Sequence, residues 1–356
     1  MTFNLIYSFN KRGNEAAFWT REIAAASNAD YRFIPFNHDP YVPILEYIRA
    51  QQLDDLYFRR DPRLMRMYDD VRSLAARERA SAIIVDNCFP YHPDWLLEFD
   101  LYKVLRTSDG PISAYDRDFA YVHAYDHVLY HSPAYSADLD MREKLLYVGA
   151  KRADFWPFGL FDAMRDTSKD ESALFARERD VDVVFIGSPH FGKMPAFARL
   201  QKALGKRLVM HGFSFKYNAY YNAKYGWPGW VGKRLEPGRA YAELYERAKI
   251  GFNVHNRGDF TVGSYRLFEL PANGVMQISD GGKHLGAFFE PGREIVAYRD
   301  IDDMIDRIRY YLDHDSEREE IARAGYRRVM REHRIGDRLR QAAGIIQRSM
   351  ETATNG

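Results

Sequence analysis

The chain has 356 residues, with 51 Lys plus Arg against 50 Asp plus Glu, a formal charge of +1 and one cysteine. That length predicts two domains of ~100–200 residues. The balanced charge excludes a dedicated nucleic-acid binder, and a lone Cys88 excludes both an intramolecular disulfide and a Cys/His metal framework.

The first apolar run, residues 3–8, leads straight into Lys11 and Arg12 and so reads as a strand, not a signal peptide. Further strand-like runs occupy 31–36, 81–86, 101–107 and 127–131. Between them Ala16, Trp19, Ile23 and Ala26 share one helical face, as do Leu64, Met67, Val71 and Leu74. His123 and His127 are four apart, but His127 opens a strand and no third ligand is near, which favours structural roles over a metal. Residues 162–180 are polar and charge-rich, and are expected to connect two domains. The second half repeats the alternation, with strands at 181–187, 207–212, 250–256, 275–280 and 294–300. Alternating strands and helices build parallel sheets covered on both faces. The expected class is therefore α/β with two Rossmann-like domains, 1–165 and 166–336. A terminal helix and tail, 337–356, carries the stripe Leu339, Ala342, Ile346 and Met350. No run of 18 apolar residues occurs, so nothing spans a membrane and a cytoplasmic protein is expected.

The strongest chemical signal is Gly263-Ser264-Tyr265-Arg266-Leu267-Phe268-Glu269, which opens like a helix with Ser264 as its cap and Pro271 and Gly274 as its end. Arg266 and Glu269 are three apart and share a face. Helix-end N–H groups with Arg266 suit a diphosphate, and Glu269 one turn deeper suits sugar hydroxyls, although the same residues would also make a plain surface ion pair. Gly187-Ser188-Pro189-His190-Phe191-Gly192-Lys193 follows a strand and precedes a helix, where α/β proteins bind ligands, or is a simple turn. In the first half, Asp109 and Asp86 end strands, and Gly13 and Asn14 follow the first one. Eight aromatics fall within Phe213–Trp230, followed by Lys233 and Arg234. Such a segment suits stacking on sugars, peripheral contact with a membrane interface, or packing over a core of its own.

From about Tyr241 to Arg340 the chain resembles the donor-binding domain of GT-B glycosyltransferases, and most closely the CgeB-like, or spore-maturation-protein-like, branch. The matching text is KIGFNVHNR at 249–257, SYRLFELPANGVMQIS at 264–279 and FFEPGREIVAYRDIDDMIDRIRYYLDHDSEREEIARAGYRRVMREH at 288–333. The resemblance implies a central cleft between the two domains, a closing helix that returns to the first, and a nucleotide-sugar donor held by the second. It implies that Glu269 binds the nucleotide ribose and that the loop from Gly187 through Ser188 to Lys193 faces the diphosphate. His211 and His255 fall on the same side. Two positions depart from the family: Ser188 stands where many retaining relatives have Arg, and Val262 where they have a second acid. Val104-Leu105-Arg106-Thr107-Ser108-Asp109-Gly110-Pro111 resembles the acceptor-domain strand and turn of that branch, with Asp109 a base toward an acceptor hydroxyl or only a turn former.

The expected activity is metal-independent transfer of a sugar from a nucleotide diphosphate, a UDP-sugar co-substrate and no bound cofactor, to a glycan, glycolipid or protein acceptor. Arg266 would act on the donor, Asp109 on the acceptor, and Gly13, Asn14 and Asp86 would lie on the acceptor side. A nucleotide-sugar epimerase of the same fold and a non-catalytic sugar-nucleotide or glycan-binding protein are the alternatives.

Overall fold

The computed structural model describes residues 2–86, 90–107, 119–136, 138–187, 193–212, 223–224, 235, 239–255 and 263–354. They form two compact units, one of residues 1–159 with 335–356, the other of residues 160–334.

The first unit is built on a parallel sheet of six strands, β1 (Phe3–Phe9), β2 (Tyr31–Asn37), β3 (Ala82–Asp86), β4 (Tyr102–Thr107), β5 (His127–Tyr130) and β6 (Ala153–Phe155), in spatial order 2-1-3-4-5-6. The inner strands are apolar on both sides because helices cover both: Ile83, Ile84 and Val85 are fully buried. β6 escapes a reading of the sequence because only Ala153 of its three residues is buried, too short a signal for period or run. Helix Pro62–Glu78 starts where Asp61 accepts a hydrogen bond from the Arg63 N–H at 2.9 Å, with Pro62 in its first turn. Its stripe of Leu64, Met67 and Val71 is buried as expected. His127 is buried with Nε2 2.7 Å from the Asp154 carboxylate on the neighbouring strand. Among the described residues no group of three or more His, Cys, Asp or Glu is placed to hold a metal ion.

The closing helix, Ile335–Thr354, belongs to this first unit, where it packs on β1 and on helix Gly13–Ala25. Leu339, Ala342, Ala343 and Ile346 are fully buried and Met350 is half-buried. Trp156 Nε1 donates to the Arg338 carbonyl at 2.7 Å, and Arg152 to that of Ser349 at 2.9 Å. The apolar stripe read from the sequence is thus the seam that holds this helix. Among the described residues no helix is long and apolar enough to cross a membrane.

The second unit carries a parallel sheet of β7 (Val181–Ile186), β8 (Leu208–His211), β9 (Ala248–Asn253), β10 (Met276–Ser279) and β11 (Val296–Ala297), in order 11-10-9-7-8. The polar stretch 162–180, expected as a connection, lies wholly within this unit. Met164 and Leu174 are buried there, and Lys169 and Arg177 both donate to the buried Glu246 carboxylate, at 2.5 and 2.8 Å. Its many charges neutralise partners inside one fold, which composition cannot distinguish from a solvated linker. The strand expected over 294–300 is only two residues long, because the chain pairs with β10 at Val296 and Ala297 alone.

Candidate functional site

In the second sheet β7, the first strand of the unit, lies between β8 and β9, so the strand order reverses there. Ligands of open parallel sheets bind beyond the carboxyl ends of the strands at such a reversal, where loops diverge to opposite faces. Gly187 follows β7 at this point. Its N–H donates to the His211 carbonyl at 3.0 Å. A Cβ at 187 would overlap Arg266 Nη2, and one at Gly212, whose φ is +130°, would overlap the Gly187 carbonyl. The two glycines let the ends of β7 and β8 close up under a guanidinium.

Arg266 begins helix Arg266–Ala272. Its Nε donates to the Ile186 carbonyl at 2.8 Å, its Nη1 to Asn253 Oδ1 at 3.2 Å, and the guanidinium lies 4.3 Å from the Phe185 ring centroid. Asn253, fully buried at the end of β9, donates in turn to Gln277 Oε1 at 2.8 Å, and Gln277 donates to the Leu267 carbonyl at 3.2 Å. The cation is therefore oriented by strands on both sides of it. Ser264, expected to cap the helix, instead donates to Asn253 Oδ1 at 3.4 Å, since the residue in the cap position is Tyr265, itself in a helical conformation. Pro271, expected to end the helix, lies inside it; Asn273 ends it, and Gly274 turns at φ +70°.

Glu269 is 5% exposed, and Tyr241 Oη donates to its Oε2 at 2.5 Å. Tyr245 Oη donates to Tyr241 at 3.3 Å. Burial pushes the Glu269 carboxyl above its usual pKa, opposed by the Tyr241 hydrogen bond and the Arg266 charge. Arg266 and Glu269 thus act on each other, as their spacing predicted. The two tyrosines that hold Glu269 were not singled out, although Tyr241 and Tyr245 stand four apart on helix Arg239–Glu246, one face of one helix.

Lys193, at the head of helix Met194–Leu204, has its pKa pushed down to about 8 by burial and by Arg266, with Asp280 opposing. His255 stands two residues beyond β9. Asp280, one beyond β10, accepts from the His255 backbone N–H at 2.7 Å and lies 2.5 Å from its Nδ1. Gly187, Lys193, His255, Arg266 and Glu269 are thus all placed by elements that meet at this edge. His211 contributes its carbonyl to Gly187, while Ser188 lies outside the described residues.

A cavity of about 310 Å³ opens at the opposite edge of this sheet, lined among others by Arg179, Lys249 and Arg318. Its cations are already bonded, Arg179 to the Ala248 carbonyl at 2.7 Å, Lys249 to Asp182 at 2.8 Å and Arg318 to the Tyr311 carbonyl at 2.8 Å, so they brace the fold.

In the first unit the sheet order reverses at β1. Asp86, at the end of β3, is ion-paired with the fully buried Arg106, whose Nη1 donates to Asp86 Oδ2 at 2.8 Å and to Tyr7 Oη at 2.7 Å. Arg106 also lies 5.0 and 4.6 Å from the Trp156 and Phe158 ring centroids. Gly13 and Asn14 are the exposed first residues of helix Gly13–Ala25. Asp109 lies outside the described residues, as do Cys88 and most of the aromatic segment.

Residues 195–344 match the family model described as "Glycosyl transferase-like". A search of curated proteins finds no match. Among solved structures, the chain is similar to a sucrose-phosphate synthase from Thermosynechococcus elongatus, at TM-score 0.65 and 13% identity, covering 99% of this chain and all of that one. It is also similar to a glycosyltransferase from Rickettsia africae (TM-score 0.61, 10% identity, 98% and 99% covered). A third is HepE from Anabaena in complex with UDP and glucose (TM-score 0.59, 11% identity, 97% and 99% covered). The fold of this chain is that of these structures, two parallel-sheet α/β units of the GT-B kind expected from the sequence.

Proposed function

We infer that this protein is a glycosyltransferase of the CgeB-like branch, which moves a sugar from a nucleotide diphosphate, most simply a UDP-sugar, to an acceptor hydroxyl. The observation that carries this reading is the buried Glu269 carboxylate, held by Tyr241 beside Arg266 at the point where the second sheet reverses. The family model covers those residues, and the similar HepE structure holds UDP with glucose. A carboxylate offers acceptor oxygens that suit ribose hydroxyls, and the Arg266 and Lys193 charges suit a diphosphate. Fixed cations at the leaving group stabilise charge as it develops there without reorganising, so no metal enters the scheme. Asp109 is assigned to the acceptor as a general base.

Thermal-shift screening against UDP-, GDP-, dTDP- and CMP-linked ligands tests the donor, because a ligand bound only by the native state raises apparent stability. Turnover with candidate acceptors then tests the transfer. Conversion of the donor to an isomer without acceptor would select an epimerase. Binding without consumption under any acceptor would leave a binding protein.

A further inference from the structure

The bonds that brace the cations of the second unit's cavity leave one of those charges unbalanced. Arg179 stands just before β7, Lys249 near the start of β9 and Gly274 just before β10, so the cavity faces the amino ends of the strands. The nucleotide-diphosphate reading concerns the opposite edge and is independent of it. Arg179 is half-buried, and its side-chain hydrogen bonds all go to backbone carbonyls. Nη1 donates to Tyr245 at 3.3 Å and Ala248 at 2.7 Å, and Nη2 to Asn273 at 3.2 Å. It has no ion pair among the described residues. A carbonyl orients a guanidinium but supplies no countercharge. Burial, with Arg318 and Arg177 nearby, pushes its pKa down to about 10, against Glu246 and Glu319. Of the five N–H donors of a guanidinium, two are left unspent here.

Arg318, whose side chain is 12% exposed, lines the same cavity. It bonds through Nη1 alone, to the Tyr311 carbonyl at 2.8 Å and to Asp315 at 2.5 Å. Nε and Nη2 remain, and that edge of a guanidinium matches two oxygens of one phosphoryl group. Arg318 lies in the first turn of helix Asp315–Glu332, whose N-terminus has no side-chain cap among the described residues. The first N–H groups of that helix add partial positive charge beside the cavity. The acids of the lining are exposed: Asp315 and Glu319 show 78% and 51% of their side chains, and Glu178 is open to solvent. Water and salt screen such charges, while the buried cations are screened much less.

We propose that this cavity is a second ligand site, one that takes a phosphoryl anion, as inorganic phosphate or as the phosphate monoester of a small metabolite. The phosphoryl oxygens accept from the unspent N–H groups of Arg179 and Arg318 in charge-assisted bonds, and the anion balances Arg179. Lys249 is already matched by Asp182 at 2.8 Å and Arg177 by Glu246 at 2.8 Å, so recognition falls on the two arginines with donors left. The volume, about 310 Å³, lies at the lower end of small-molecule pockets, ~300–1,000 Å³, and so admits a monoester of sugar size.

Calorimetric titration of the full chain with inorganic phosphate, ribose 5-phosphate and unphosphorylated ribose tests the site. Both phosphates should bind and ribose should not. Tighter binding of ribose 5-phosphate identifies a site for a monoester, and equal binding a site for the free anion. Arg318→Gln, with an unchanged circular-dichroism spectrum, should weaken both by about tenfold or more, as when hydrogen bonds to a charged group are lost. Glu178→Gln alters only an exposed side chain and should tighten both by about two- to threefold, the scale of a solvent-screened charge. That gain is readable even if Arg318→Gln fails to fold. Lys193→Met, at the opposite edge, should bind both phosphates as the wild type does. No binding of either phosphate by the folded wild-type chain overturns the proposal. So does wild-type affinity in folded Arg318→Gln or in Glu178→Gln, or loss of binding in Lys193→Met, which would put the anion at the other edge.

Discussion

Arg266 Nη2 occupies the space that any side chain on Gly187 would need, while Arg266 Nε donates to the carbonyl of the residue before it, Ile186, at 2.8 Å. The turn after β7 and the guanidinium are therefore one device, and each fixes the other.

Gly187→Ala tests that device. An added methyl must displace the guanidinium or the strand end, at about 1–3 kcal/mol for overpacking. Denaturant unfolding should show that loss, and nucleotide binding should weaken with it. Wild-type stability and affinity would mean that Arg266 yields freely.

In the proposed donor role, Glu269 would set binding against stability. Its folded pKa is raised above the unfolded 4.5, so the native state holds the proton more tightly. Stability then falls as pH rises from about 4.5 through the folded value, and the deficit persists above it. Glu269→Gln mimics the protonated form and should unfold at an equal or higher temperature than wild type at pH 7 without ligand. Glu269→Ala should weaken nucleotide binding by about 1.5–3 kcal/mol, as for a hydrogen bond to a charged group. Calorimetry and melting curves read the two effects separately.

On the proposed donor site, Lys193 would set an upper pH limit on binding: its free value is about 8, and an anion bound beside the protonated amine raises that value. Affinity should hold below pH 8, decline as pH rises above it, and level off once pH passes the higher bound-state value. Lys193→Met should bind more weakly at pH 7 and show no such decline.

Ile346 anchors the closing helix. It is fully buried on the stripe that packs in the first unit. Ile346→Ala should cost about 2–5 kcal/mol in denaturant unfolding. A loss under 0.5 kcal/mol would show the helix held by its polar contacts, such as Trp156 to the Arg338 carbonyl.

Asp86, at the end of β3, and Asp109, the carboxylate expected on the acceptor side, should separate. Asp86→Asn removes a carboxylate paired with the buried Arg106 guanidinium and should destabilise by about 3–5 kcal/mol. Asp109→Asn should fold normally and lower turnover by about 10²–10⁴-fold with donor affinity unchanged, as expected of a general base. Stopped-time assays and calorimetry on both variants decide it.

The amino-acid sequence by itself determined the alternation of strands and helices, because apolar runs and the 3.6-residue period are local properties of the chain. It also placed Arg266 and Glu269 one turn apart, since i,i+3 spacing needs no tertiary information. The stripe of the closing helix was legible for the same reason. Only the tertiary structure decided the strand orders 2-1-3-4-5-6 and 11-10-9-7-8, which put the reversals at β1 and β7. Pairing between strands distant in sequence also decided that Tyr241 covers Glu269, that Asp280 clamps His255, and that Arg106 claims Asp86. Such partners lie 20 to 28 residues apart. What selects them is burial, which leaves a polar group to find whichever partner the fold brings near, and no local pattern encodes that choice.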